Sequence, residues 1–465
     1  MRFATNKILT LFFYCIILSA FPQKELTTFT KNDGLSSSNI LFTYVDSKGI
    51  IWAATNFGLN AYFSNKWTAI KYIEGQDGQN KYFGKILSIF EASNSDIWIA
   101  TQRGIFYYNR KYWTHFSDNE NSNFEISKLF EDSNMNIWVF LENQNGLKDV
   151  GQIGFTMLEG KVQIFGGNQW ITFTGVIGGS AAVPIGSPPN YFTSMLIDSK
   201  NTIWITSLDG LYSYDGRRWS EFNEEQLSSD KCYKVFETNN HDIWVGTANG
   251  IAKKEGEKWK KYEKAKGISG NIIHDFYNDK QGRLWAFSSK DNSFNSLLLF
   301  NKSKWKTFTN KDLRLKGNVD KIFEINNQVF ISSSRGISVY QNSIWKNINN
   351  VYDVNVDEVY FLQEIQEGLV YFTDKSKLYQ LSKDGVQIVF EYDGKWQANE
   401  IFMDSQQRIW VGTDRDGLFL FENDKLVSNF NDKSGLTDNH INSIFEDSEA
   451  NVWIICRNSI NKVND

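Results

Sequence analysis

An Ile-Trp pair, or a variant of it, returns along this chain about every 40 residues, and no other feature restricts the possible folds as sharply. The segments VDSKGIIWAATNFGL (45–59), IDSKNTIWITSLDGL (197–211), ETNNHDIWVGTANGI (237–251) and MDSQQRIWVGTDRDGL (403–418) share one pattern. An Asp or Glu is followed by a polar turn, Ile-Trp, two small or β-branched residues, Thr or Ser, and then Gly-Leu or Gly-Ile. The aromatic position recurs at Trp52, Trp98, Trp138, Trp204, Trp244, Trp285, Phe330, Tyr371, Trp410 and Trp453, which makes ten units. Their spacings are 46, 40, 66, 40, 41, 45, 41, 39 and 43 residues. A second Trp series (Trp67, Trp113, Trp170, Trp219, Trp259, Trp305, Trp345 and Trp396) accounts for the rest of the sixteen tryptophans.

Each unit parses into four short strands. Around Trp244 they are CYKVFET, DIWVGTA, GIAKKE and KWKKYE, separated by Asn, Asp and Gly clusters that make turns. Four such strands cannot bury both faces alone, but units stacked radially share a core. This period with four strands per unit predicts an all-β chain forming one β-propeller over residues 24–465, with eight to ten blades. The last unit stops without a fourth strand, while KELTTFT (24–30) reads as an orphan fourth strand. Pairing the two is expected to complete the last blade and close the ring. The units around Phe330 and Tyr371 lack the Asp turn and the Trp, which predicts a less regular ring there.

Composition fits this reading: 41% of residues are hydrophobic, 15% are aromatic and only four are proline, as extended paired strands require. Residues 1–23 stand apart, with Arg2 and Lys7 before the apolar run ILTLFFYCIILSAF (8–21). The run is too short for an ordinary spanning helix and fits a secretory signal peptide cut between Ala20 and Gln23. An uncleaved anchor is the alternative. Removing the leader takes two of the 49 basic residues and none of the 54 acidic ones, leaving 47 and 54 and a formal charge of −7. That acidity argues against nucleic acid or an anionic membrane as partner. No later run reaches spanning length, so no stable membrane insertion is expected once the leader is removed. Cys232 and Cys456 fall in different units and are not expected to pair.

Catalytic constellations are not evident. His115, His241, His274 and His440 lie in four units, and neither an HExxH nor a GxSxG motif is present. No catalytic residue, metal site or cofactor is expected. Acid pairs such as Glu131-Asp132 and Glu446-Asp447 evoke glycoside hydrolysis. They recur, however, where a strand enters the turn before Ile-Trp, so their expected role is to hold turn amides. The recurring Trp residues are read as packing between blades rather than as sugar platforms, and the Thr or Ser after Ile-Trp as bonding backbone. Leu141, Asp374 and Cys456 depart from that last position. The run KKEGEKWKKYEKAK (253–266) reads as a solvated blade edge protected by Lys.

In a propeller, the loops joining strands two and three share a face with those joining one blade to the next. The first set contains Asn56, Arg103, Asp209, Asn249, Arg335, Asp414, Arg415 and Arg457, and the second contains Asn39, Asn271 and Asn439. These are the candidate ligand-binding residues, since loops on a rigid scaffold commonly carry function. The long interval between Trp138 and Trp204 holds GVIGGSAAVPIGSPPN (175–190), with three of the four prolines. It is no phosphate loop, because no Gly-Lys-Ser/Thr follows. The repeat resumes in phase beyond it, so it reads as an insertion on the loop face, either a lid or a plain connection.

The lead-ins GLSSSNI (34–40), GISGNII (267–273) and GLTDNHI (435–441), with the bodies Asp46–Leu59, Asp198–Leu211 and Asp404–Leu418, resemble the two-component regulator propeller repeat. That repeat builds the periplasmic sensor halves of hybrid two-component systems in Bacteroidetes. The resemblance implies an exported protein, periplasmic or at the surface of a Gram-negative bacterium. It also implies a ring face that binds a ligand, a glycan among the candidates, or a partner protein such as a sensor kinase. No kinase sequence follows the repeats, so the chain is not expected to phosphorylate anything itself. The rival readings are a glycan-active or lyase-type propeller enzyme and a structural surface or adhesion module.

Overall fold

The computed structural model describes residues 25–464 apart from 76, 103, 117–123, 134, 144–157, 167–168, 174–190, 264–271, 291–292 and 393–396. The leader, the insertion at 175–190, Arg103, Asn271, Trp396 and part of the Lys-rich run lie outside the described residues. Among the described residues each repeat unit forms an antiparallel four-stranded sheet, ten in all, with the strands in sequence order in every blade but the last. In blade 1 the strands are Ile40–Val45, Ile51–Thr55, Gly58–Phe63 and Lys66–Ile70. In blade 9 they are Ala398–Met403, Ile409–Thr413, Leu418–Glu422 and Lys425–Phe430. Blade 3 carries an additional short strand, Tyr191–Phe192, against its third. Blade 10 takes Ile441–Glu446, Val452–Cys456 and Ile460–Asn464 from the C-terminal end and its fourth strand, Glu25–Phe29, from the N-terminal end. Glu25 pairs with Asn464 and Phe29 with Ile460.

Burial explains the residue choice strand by strand. The first strands of neighbouring blades approach one another while the outer strands diverge, so the first strand is innermost. The second strand is covered on both faces by the adjoining blades, and it reads as an unbroken small or apolar run that is wholly buried, as in IWAAT and IWVGT. Gly in IWVGT answers that closeness: a Cβ on Gly412 would stand 2.5 Å from Ile441 Cγ2 of the next blade. The third and fourth strands join through two-residue turns with left-handed pairs, among them Ser64-Asn65 and Asn423-Asp424. Those turns match the strand twist and leave no slack in the register.

Hydrophobic clusters fill the wedge between each blade and the next. Between blades 6 and 7, for example, Trp285 and Phe308 pack with Val329, Tyr340 and Trp345. Another cluster joins blade 10 to blade 1 through Trp453, Ile455, Trp67, Tyr62 and Ile51. The two tryptophan series meet across these wedges. Trp113 stands edge-on to Trp52 of the preceding blade at 6.3 Å and 85°, and Trp305 to Trp244 at 5.9 Å and 87°. Trp67 meets Trp453 in the same way at 6.2 Å and 88°. Such T-shaped pairs add to the area they bury. Blades 7 and 8 keep four strands despite losing the Trp. Phe330 stacks on Phe323 at 5.5 Å, and Tyr371 fills its place while its hydroxyl donates to Asp424. A large aromatic ring, not the indole itself, is what the wedge requires. Among the described residues no helix is long and apolar enough to cross a membrane.

Candidate functional site

The acids that recur from unit to unit hold the structure. Asp447 Oδ1 accepts from the amides of Glu449 and Asn451, and its Oδ2 accepts from Trp453 Nε1 at 2.7 Å. The same indole bond links Asp46 to Trp52, Asp132 to Trp138, Asp198 to Trp204, Asp279 to Trp285 and Asp404 to Trp410, at 2.8–2.9 Å. The neighbouring Glu reaches the preceding blade instead. Glu446 accepts from Ser405 N and Oγ at 2.8 and 2.6 Å, and Glu131 from Ser93 N and Oγ at 2.7 and 2.8 Å. Each acid pair therefore clasps two blades. Between blades 10 and 1 the Glu position is Val45, and the aromatic cluster of Phe29, Tyr62, Trp67 and Trp453 holds that junction. Thr55, Thr101, Thr247 and Thr413 donate to the carbonyl of the Gly that opens or precedes the third strand. Asp374, at that Thr position in blade 8, accepts from Ser376 N, Lys377 N and the Tyr379 hydroxyl, a structural use as well.

The two loop sets do share a face. Ala248, on the turn between strands two and three of blade 5, bonds Lys231 at the entry to the same blade. Gly417 of blade 9 bonds Asn439 at the entry to blade 10. On that face Asn56, Asp209, Asn249 and Arg335 are exposed turn residues spread over separate blades. The amides of Asp209, Asn249 and Arg335 are held by Ser207, Thr247 and Ser333 hydroxyls. Asn39 likewise bonds Ser37 through its amide.

Asp414, Arg415, Asn439 and Arg457 are brought together. They line one cavity of about 510 Å³ between blades 9 and 10, with Asp432, Thr437, Asp438 and His440. His440 Nδ1 lies 2.7 Å from Asp414 Oδ1, and Arg415 Nε lies 3.1 Å from Asp414 Oδ2. The His440 hydrogen bond, then the Arg415 contact, holds the Asp414 carboxyl below the usual carboxylate range. Asp438 fixes the loop, accepting from His440 N at 2.9 Å and from Asn458 Nδ2 at 3.1 Å. Asn439 Oδ1 accepts from Asp432 N at 2.8 Å. Sequence reasoning set His440 aside because the four histidines fall in different units. The available signal was its place beside Asn439 in the GLTDNH lead-in, one blade on from the Asp414 turn.

A second cavity, of about 520 Å³, opens between the inner strands of blades 6, 7 and 8, beside His274, Tyr277, Asp320, Lys321 and Glu364. Burial lowers the His274 pKa and raises that of Tyr277 to about 12, with Glu324 next in effect on the tyrosine. None of the sequence candidates lies there.

No family profile and no curated protein matches the chain. Solved structures similar to it include PorZ, a surface component of the type-IX secretion system of Porphyromonas gingivalis. The identity is 14%, over 92% of this chain and 74% of that one, with a TM-score of 0.31. The extracellular domain of a putative hybrid two-component system from B. thetaiotaomicron is similar at 13% identity, over 95% and 82% of the two chains, with a TM-score of 0.31. A streptogramin B lyase is similar at 11% identity, over 95% and 97%, with a TM-score of 0.33. Likenesses this faint assign neither a family nor a function.

Proposed function

We propose that this chain is an exported, ligand- or protein-binding β-propeller, the sensor-like component of a two-component signalling pathway, without catalytic activity of its own. One observation carries the reading. Four residues from three turns of blades 9 and 10, Asp414 with Arg415, Asn439 and Arg457, converge on a single polar cavity of the loop face. Loops held on a rigid scaffold are where recognition is commonly built, and a concave site with convergent polar groups is the default place for a ligand. The repeat resemblance supports the signalling role and the site outside the cytoplasm. A glycan fragment or the extracellular part of a sensor kinase is the proposed occupant. The test is a thermal-shift and pull-down panel of glycan fragments and candidate kinase ectodomains, run on the mature chain and on the Arg415→Ala, Arg457→Ala double variant. A ligand or partner that stabilises the parent and not the variant supports the site. A hit that persists undiminished in the variant, or no hit across the panel, sinks it.

The Asp414–His440 pair favours a second reading, a glycan-active or lyase-type enzyme. A carboxylate that orients an imidazole is the usual arrangement for a general base. Product formation from any glycan of the panel, abolished in His440→Gln, would establish it.

A further inference from the structure

The blade 9–10 cavity contains more charged groups than the protein itself uses. Asp414 is committed to His440 and Arg415, and Asp438 to His440 N and Asn458. Arg457 and the Asp432 carboxylate line the same cavity without a hydrogen-bond or ion-pair partner among the described residues. Arg415 has an 88% exposed side chain and bonds Asp414 through Nε, which leaves its terminal nitrogens. Asn439 spends its side-chain oxygen on Asp432 N, and its amide hydrogens remain.

The lining holds three carboxylates, with Asp414 paired to Arg415 and Asp438 held by two neutral N–H donors; the donors left over are the Arg457 fork, the outer nitrogens of Arg415 and the Asn439 NH₂. A guanidinium presents a planar fork of N–H donors that matches the paired oxygens of a carboxylate or phosphate. Resting on the reading of this face as the binding face, we infer that the cavity takes an oxyanion-bearing ligand. Arg457 and Arg415 grip the carboxylate or phosphate, Asn439 Nδ2 donates to it, and Asp432 accepts from a hydroxyl or amine of the remainder. Asp414 acts as a positioning residue, holding Arg415 and His440 at the rim. Neither arginine supports a strand, so the fold does not depend on them.

The test is titration calorimetry of the full mature chain at low ionic strength with glucose, glucuronate and glucose 6-phosphate, three probes of one ring that differ in charge. At least one anion is expected to bind about tenfold or more tightly than glucose, the increment of one charge-assisted pair. Which anion binds tells a carboxylate site from a phosphate site. Arg457→Gln is expected to remove that increment while leaving the melting temperature unchanged, and added salt to weaken the anion further. Glucose binding as tightly as both anions, with loss in His440→Gln, would overturn the oxyanion class and leave the cavity as a binding site. Anion binding that Arg457→Gln leaves intact overturns the assignment, as does no heat with any probe. In the last case the glycan and kinase panel decides the face independently.

Discussion

Asp414 Oδ1 lies 2.7 Å from His440 Nδ1, which ties the turn between strands two and three of blade 9 to the entry of blade 10. Because the Asp414 pKa is depressed in the folded protein, chiefly by His440, the pair's contribution is present above the unfolded value of about 3.9. It is lost as pH falls below that value. The pair is partly solvated, so the expected size is about 0.5 kcal/mol. Urea melts of Asp414→Asn and the parent are expected to differ by this amount at pH 7 and to converge as pH falls through the lowered Asp414 pKa.

Trp244 lacks what six of its counterparts have. Its indole N–H is buried without an acceptor, and position 238, where other blades place the Asp, holds Thr238. Thr238→Asp is expected to stabilise the protein by about 1 kcal/mol, the net value of one added hydrogen bond. The converse change, Asp447→Ala, strands the Trp453 indole and the Asn451 amide and is expected to cost about 3 kcal/mol. Equilibrium unfolding of both variants checks the signs.

Asp447 also titrates with folding. Burial pushes its pKa up, but hydrogen bonds from Trp453 and Asn451 outweigh burial and leave it below the ordinary value. Glu237 follows the same balance, with burial opposed by Ser199 and His241. Both contributions exist above the unfolded carboxylate pKa values of about 4 and are lost as pH falls below them. The parent is expected to lose stability as pH falls from about 4 through these lowered values, and the Asp447→Asn, Glu237→Gln double variant less so.

Phe29 stacks on Trp453 at 5.8 Å and 25°, and it belongs to the strand that completes blade 10. Phe29→Ala is expected to cost about 2 kcal/mol, less than a fully buried ring because this one is half-exposed. Removing residues 24–30 exposes the edge of Ile460–Asn464 and is expected to lower the melting temperature further and promote association. Unchanged melting in the truncated chain would show that this strand does not hold blade 10 to blade 1.

Glu446 holds Ser405 across the blade 9–10 junction. Glu446→Ala removes two bonds to a charged acceptor and is expected to cost about 2 kcal/mol, whereas Glu446→Gln, which keeps one acceptor oxygen, costs about half of that. Differential scanning calorimetry of the two variants resolves the difference.

The sequence by itself determined the unit: four strands, their order, the turn acid and the terminal strand that pairs with the last blade. These follow from alternation, turn chemistry and spacing, which act within about 40 residues and need no knowledge of neighbours. Tertiary structure decided what happens across the wedges. The carboxylate of Glu131 or Glu446 points to a turn one blade back, and the Asp oxygen beyond the turn amides accepts from an indole N–H. Phe330 and Tyr371 serve where the other units place Trp, because the wedge selects ring volume rather than identity. The candidate site divides the same way. Asp414, Arg415, Asn439 and Arg457 were legible as loop residues, but so were Asn56, Asp209, Asn249 and Arg335, and nothing local separates the two groups. The cavity exists where the blade 9 turn meets the blade 10 entry, and only that packing brings His440 onto Asp414. A hydrogen bond between residues 26 positions apart depends on how two blades stack, which no local pattern encodes.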